Sequence, residues 1–418
     1  MHEKLALDGG SPVRKIPLEL KKVYHGADVY DEREKSAADE VLETKSLFRY
    51  YGYDLLNKSS ELEKEFARYV GTKHALAVSS GTAALHVALG AIGVGFRDEV
   101  ILSPISWVSP ALAILYQDAL PVFADIDINS LNVDPQAVAK KITKRTKAII
   151  VVHYVGLPAR MNELMEIARE DGIYVVEDCS HAYGALYKGH KVGSIGDIAA
   201  FSCQFQKQIT AGEGGLIATN SDELFENAYR FHDLGMYEHL SKKGIDTLGY
   251  NYRITELQSA ILLAQLKKID LINERLKNNA TYLSQNMPCP EILQARDTPE
   301  DCENTYYCLP IRVNKQKLSV SAERIRLAME AEGTPVSTID KPIYYFGLFA
   351  DKSSDQLLID CRKIKYHENL IRYQKGLCPA AEKAYDEYIM AFNSPRLTLI
   401  DLQDYIKALT KVSAFYRI

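Results

Sequence analysis

The feature that most constrains this chain is an alternation of two periods between residues 70 and 220. Short apolar runs at 74–78, 99–102, 121–124, 148–153, 173–176, 198–202 and 215–219 each have the length of a buried strand. Between them lie helical stretches at 83–90, 109–117 and 161–169, the last ended by Asp171-Gly172. Strands that are apolar throughout are covered on both faces. Spaced by helices of this size, they predict an α/β fold with a mostly parallel, seven-stranded sheet between helices.

After residue 220 the pattern turns helical, with one helix over 222–232 and a single long one over 255–278. Pro288, Pro290 and Pro299 then mark a passage to a strand at 306–313 and helices at 321–332 and 398–412. The division expected is a large α/β domain with an N-terminal arm over 1–270 and a smaller α+β domain over 271–418.

Composition narrows the classes. Lys and Arg total 50 against 55 Asp and Glu, a net charge of −5 that disfavours a general nucleic-acid binder. The apolar runs are far shorter than the ~20 residues that span a bilayer, and residues 1–16 lack an apolar signal core. Seven scattered cysteines without a CxxC pair lack zinc spacing, so no metal site is expected and reduced thiols in the cytoplasm are.

In an open α/β sheet, ligands gather beyond the carboxyl ends of the strands. Gly81-Thr82 follows a strand and opens a helix, which suits a phosphate dianion or an ordinary N-cap. Glu177-Asp178 ends the run at 173–176, as metal ligands, a cofactor partner or a solvated turn, and Asp178 can face a cationic ring nitrogen. His181 lies within reach of the same ligand. Lys207 stands in a Gly-rich passage after a strand, either as a desolvated amine nucleophile or as an exposed loop lysine. Trp107, the only tryptophan, can cover a ring or belong to the core. A phosphate cradle, an acid for a ring nitrogen and a reactive lysine on one sheet are the parts that pyridoxal 5′-phosphate (PLP) needs.

Five segments carry a resemblance: 75–89 (ALAVSSGTAALHVAL), 99–108 (EVILSPISWV), 175–185 (VVEDCSHAYGA), 192–220 (VGSIGDIAAFSCQFQKQITAGEGGLIATN) and 249–266 (GYNYRITELQSAILLAQL). In this order they resemble the DegT/DnrJ/StrS-type sugar aminotransferases, which are fold type I, PLP-dependent enzymes. The resemblance implies that Lys207 is the Schiff-base lysine and general base, and Asp178 the partner of the pyridine nitrogen. It implies phosphate contacts from Gly81, Thr82 and Ser202, and ring stacking by Trp107. Asn251 matches a residue that reaches the neighbouring subunit's phosphate, which implies a homodimer with shared sites. His181 departs from the family's usual Gln beside the ring hydroxyl, so its protonation would mark the cofactor's titration. Relatives with His in place of the lysine dehydrate sugars, and Lys207 speaks against that branch.

The implied activity is transfer of an amino group from L-glutamate or L-glutamine to a keto-sugar or keto-cyclitol, in antibiotic or glycan synthesis. The alternatives are an aromatising synthase of the aminohydroxybenzoate type and a PLP-binding regulator. Residues 5–14 resemble cyclitol aminotransferases and 3-amino-5-hydroxybenzoate synthases, whereas 47–52 and 231–235 resemble 8-amino-octulosonate aminotransferases. Arg49 faces an acidic substrate or pairs with Asp54 or Glu61. Tyr344 and Tyr345 line a polyol pocket or, as for most of the 26 tyrosines, pack.

Overall fold

A computed structural model describes residues 3–19, 23–237, 244–245, 247–362 and 371–418. Its centre is a seven-stranded sheet of β1 (His74–Val78), β2 (Glu99–Leu102), β3 (Leu120–Phe123), β4 (Thr146–Val152), β5 (Tyr174–Asp178), β6 (Ile198–Ser202) and β7 (Gly215–Thr219). The spatial order is β1-β7-β6-β5-β4-β2-β3, and β7 alone runs antiparallel, between β1 and β6. Both faces are dry. Leu76, Val78, Ile150, Val152, Val176 and Ala200 pack with the Gly81–Ile92 helix in one core, whereas Ala75, Ala77, Ile149, Val151, Val175 and Ala199 pack in others. Successive residues alternate between the faces, as the pleat requires.

A second, antiparallel sheet joins β8 (Leu293–Ala295), β9 (Cys308–Val313), β10 (Val336–Thr338) and β11 (Tyr388–Phe392) in the order β8-β9-β11-β10. The Ala322–Ala331 and Leu399–Tyr416 helices pack against it. The single helix expected over 255–278 is two, Glu256–Leu266 and Ile269–Gln285. The break falls at Lys267-Lys268. Lys268 is buried there, and its ammonium binds Glu34 at 2.6 Å and the Val29 carbonyl at 2.8 Å. All seven cysteines are free, and no helix among the described residues is long and apolar enough to cross a membrane.

Candidate active site

The ends of β1, β5 and β6 converge on one side of the sheet. At β1, Ser80 caps the Gly81–Ile92 helix by accepting from the Ala83 amide at 3.0 Å. The amides of Gly81 and Thr82 then point out of the helix start, where the dipole favours an anion. Gly81 is required by space: a Cβ there would lie 2.5 Å from that of Ser202, at the end of β6. Helix start and strand end therefore meet as one cradle. The Thr82 hydroxyl bonds Ser109 Oγ at 2.8 Å, at the start of the next helix.

Glu177 and Asp178 lie within β5, not after it, and alternation sends them to opposite faces. Glu177 is fully buried. It accepts from His153 Nε2 (3.0 Å) and from the amides of Gly193 (2.9 Å), Ile195 (2.8 Å) and Gly196 (2.7 Å). It clasps the loop that leads into β6. Burial would raise its pKa, but the hydrogen bonds from His153 and the amides outweigh it, so the carboxyl is held below its ordinary range. His153, Glu177 and Cys179 stand close enough together to suggest a metal site. However, His153 Nδ1 already accepts from the Ala159 amide, so both ring nitrogens are engaged. Asp178, only 5% exposed, takes the other face and accepts from the Ser180 amide at 3.1 Å.

Lys207 lies in the turn between β6 and β7, and its carbonyl accepts from the Gly26 amide of the N-terminal arm. Its chain retains some solvent contact, but its amine is deeply desolvated. Burial lowers its pKa to about 8, against the upward pull of Asp178, Asp340, Cys308 and Cys203. The amine sits 5.3 Å over the ring of Tyr307. His181 stacks on that ring at 4.2 Å, and His25 meets it edge-on at 4.8 Å. Burial, then the charge of Lys207, drives the His181 pKa well below its usual value, so the ring is neutral. His25 falls to about 3 for the same leading reason. The buried Nδ1 of His181 has no partner among the described residues.

Asp178, His181, Ser202, Gly81, Thr82 and Lys207 are therefore on one side of the sheet, with Trp107 on the β2 loop 65% exposed instead of in the core. Asn251 is exposed beside Asp233 and touches none of these groups; its neighbour Tyr252 accepts from the Ser79 amide. Tyr307, His25 and Asp340 were not expected here. They come from distant parts of the chain, and no local pattern marks them.

Two readings left open for the substrate pocket are decided by burial. Arg49 is buried and bonds the Ala77 carbonyl at 2.9 Å and Glu63 at 2.6 Å, not Asp54 or Glu61. It staples the 47–52 loop to β1. Arg49→Ala should lower unfolding stability by about 3 kcal/mol, read by urea denaturation, because it strands a carboxylate. An unchanged urea midpoint would return Arg49 to the substrate. Tyr344 is buried, bonding Glu382 and the Cys378 amide, so it packs.

The described groups fit PLP: a cradle closed by Gly81 and Ser202, a buried carboxylate, an orphaned imidazole nitrogen, an exposed indole and a desolvated amine. A model for the DegT/DnrJ/EryC1/StrS aminotransferase family matches residues 29–410. The chain belongs to that family. It is thereby a member of the fold type I, PLP-dependent aminotransferases. It is similar to the GDP-perosamine synthase of Caulobacter vibrioides, 43% identical over 307 residues, 72% of this chain and 80% of that one. A Streptoalloteichus tenebrarius protein, provisionally named L-glutamine:3-amino-2,3-dideoxy-scyllo-inosose aminotransferase, is 32% identical over 99% of this chain and 98% of its own. Among solved structures, 3-amino-5-hydroxybenzoic acid synthase aligns with a TM-score of 0.80 at 28% identity, covering 92% of this chain and 97% of that one.

Proposed function

We propose that this aminotransferase moves an amino group from L-glutamine or L-glutamate to a keto-sugar or keto-cyclitol, as a homodimer with PLP at Lys207. The observation that carries the reading is the desolvated Lys207 amine, opposed by the buried carboxylate of Asp178 on the same sheet. When bound, PLP supplies an electrophilic aldehyde and an electron-withdrawing ring.

The chain's residues do the rest. The amides of Gly81 and Thr82 and the Ser202 hydroxyl hold the phosphate. Asp178 holds a proton at the ring nitrogen, and its burial keeps water from competing for that proton. Neutral His181 offers its free Nδ1 to the ring hydroxyl and adds no titration of its own near neutrality. Trp107 covers the ring face. Lys207 would take up and return a proton at its Nζ, for which a pKa near the working pH is suited. Asn251 serves the partner's phosphate. Exposed Tyr51, Tyr53, Leu248 and Tyr250 provide apolar surface for that second copy. The domain division at 270 falls at the start of the Ile269–Gln285 helix. The names of the relatives point to keto-sugars and cyclitols as acceptors, and one of them to L-glutamine as donor.

The test uses the PLP-loaded protein. Adding L-glutamine or L-glutamate should shift its absorbance from ~410 nm toward ~330 nm, and a keto-sugar or keto-cyclitol acceptor should restore it. No bleaching with either donor would overturn the aminotransfer reading.

A further inference from the structure

The charges of two carboxylates favour the protonated Lys207 amine, and only that of Asp178 has a role in the reading above. The second, Asp340, arrives from the other sheet, in the segment that leaves β10. The Tyr154 hydroxyl donates to its carboxylate at 2.9 Å and accepts from its own amide at 3.1 Å. This two-point contact fixes the carboxylate's position.

Tyr154 is itself pinned. Its amide bonds Asn132 at 2.9 Å, and the buried Arg296 donates to the Tyr154 and Val155 carbonyls at 2.9 and 3.2 Å. Val155 is held at φ 45°, a left-handed conformation that a β-branched residue adopts only when its surroundings impose it. On the far side of Asp340, the Ile343 amide bonds the carbonyl of Pro104, on the loop that bears Trp107. The Tyr154 ring lies 6.4 Å from that of His181, which stacks on Tyr307, over which the Lys207 amine sits. Asp340 is therefore linked, through Tyr154, His181 and Tyr307, to the group that surrounds the amine.

We propose that Asp340 is a positioning residue for Lys207: fixed by Tyr154, it is a second counter-charge that makes the amine's protonation depend on the β10 segment being seated against the large sheet. Its importance for turnover rests on the reading of Lys207 as the reacting amine. The other groups facing that amine are Asp178 from β5, the thiols of Cys203 and Cys308, the phenol of Tyr307 and the imidazoles of His25 and His181. Burial leaves both imidazoles neutral, which leaves the two carboxylates as its main opposite charges. Burial raises the pKa of Asp340 on balance, and the Tyr154 hydrogen bond and the Lys207 charge pull it back down. The amine and the carboxylate thus favour each other's ionised form.

The test is made on the full chain without PLP, by competitive acetylation with acetic anhydride across pH. The Lys207 peptide is quantified by mass spectrometry and normalised to its high-pH plateau. The native midpoint is expected near pH 8. Asp340→Asn keeps the side chain's shape and removes the charge, so the midpoint should fall and labelling at pH 7 should rise about threefold or more, equivalent to roughly half a pKa unit. Tyr154→Phe removes the donor that favours the ionised carboxylate and should act in the same direction, less strongly. An unmoved midpoint in Asp340→Asn, in a background where Asp178→Asn lowers it, overturns the proposal. If Asp340→Asn does not fold, Tyr154→Phe decides by the same criterion. No donor is present, so this result is independent of whether L-glutamine or L-glutamate bleaches the loaded enzyme.

Discussion

Lys207→Ala is expected to abolish the ~410 nm absorbance of the PLP-loaded protein and to reduce amino transfer by at least ~10⁴-fold. Proton transfer by a positioned group alone contributes about 10²–10⁴-fold, and in the function proposed above the lysine is also the attachment point. The environment shows why this lysine matters. With a pKa of about 8, roughly a quarter of the amine is free base at pH 7.5, against about a thousandth for a lysine at 10.5. Raising the pH through 8 should therefore increase the free-base fraction, and with it the rate of any step that needs the amine as a base. Lys207→Arg separates charge from basicity, because guanidinium stays protonated in this range. It should be as inactive as the alanine variant. Either variant keeping the absorbance and near-native turnover would refute the assignment.

Much of this site is legible in the primary structure, for a physical reason. A buried parallel sheet demands apolar runs, so a charge or hydroxyl at the end of such a run stands out. Asp178 and Lys207 were accessible in this way, whereas Ser202 came only through the family resemblance, and the strands Ile198–Ser202 and Gly215–Thr219 have the bounds expected from their apolar stretches alone. What escaped is set by tertiary contact. Asp340 follows a three-residue strand, and only the fold brings it to Tyr154. Arg49 looked like a loop cation because nothing nearby announces its burial against Glu63. The apolar period continues through residues 255–278, and the break at Lys268 is decided by Glu34, on a helix near the other end of the chain. Asp178 and Glu177 were read as one acidic pair, although the pleat gives them separate work.

That separation leads to the largest stability effect expected. Glu177→Ala should cost about 3–5 kcal/mol, a large part of a marginal 5–15 kcal/mol. It leaves the His153 Nε2–H and three amides buried without an acceptor. Glu177→Gln should also destabilise, because all four partners donate and an amide NH₂ offers them a fifth donor. The contribution depends on pH with a definite sign. The folded-state pKa of Glu177 lies below its unfolded value, so the stabilisation is fully present above the unfolded pKa, near ~4.3. It is lost as the pH falls below that value through the folded pKa. Urea midpoints of native and Glu177→Ala proteins should therefore differ widely at pH 7 and converge under acid conditions. Equal midpoints at pH 7 would mean that the clasp contributes nothing. The site itself supplies a second readout. The clasped loop feeds β6, which ends at Ser202 and leads to Lys207, so a folded Glu177→Gln protein should retain PLP less tightly than the native chain although residue 177 faces away from the site.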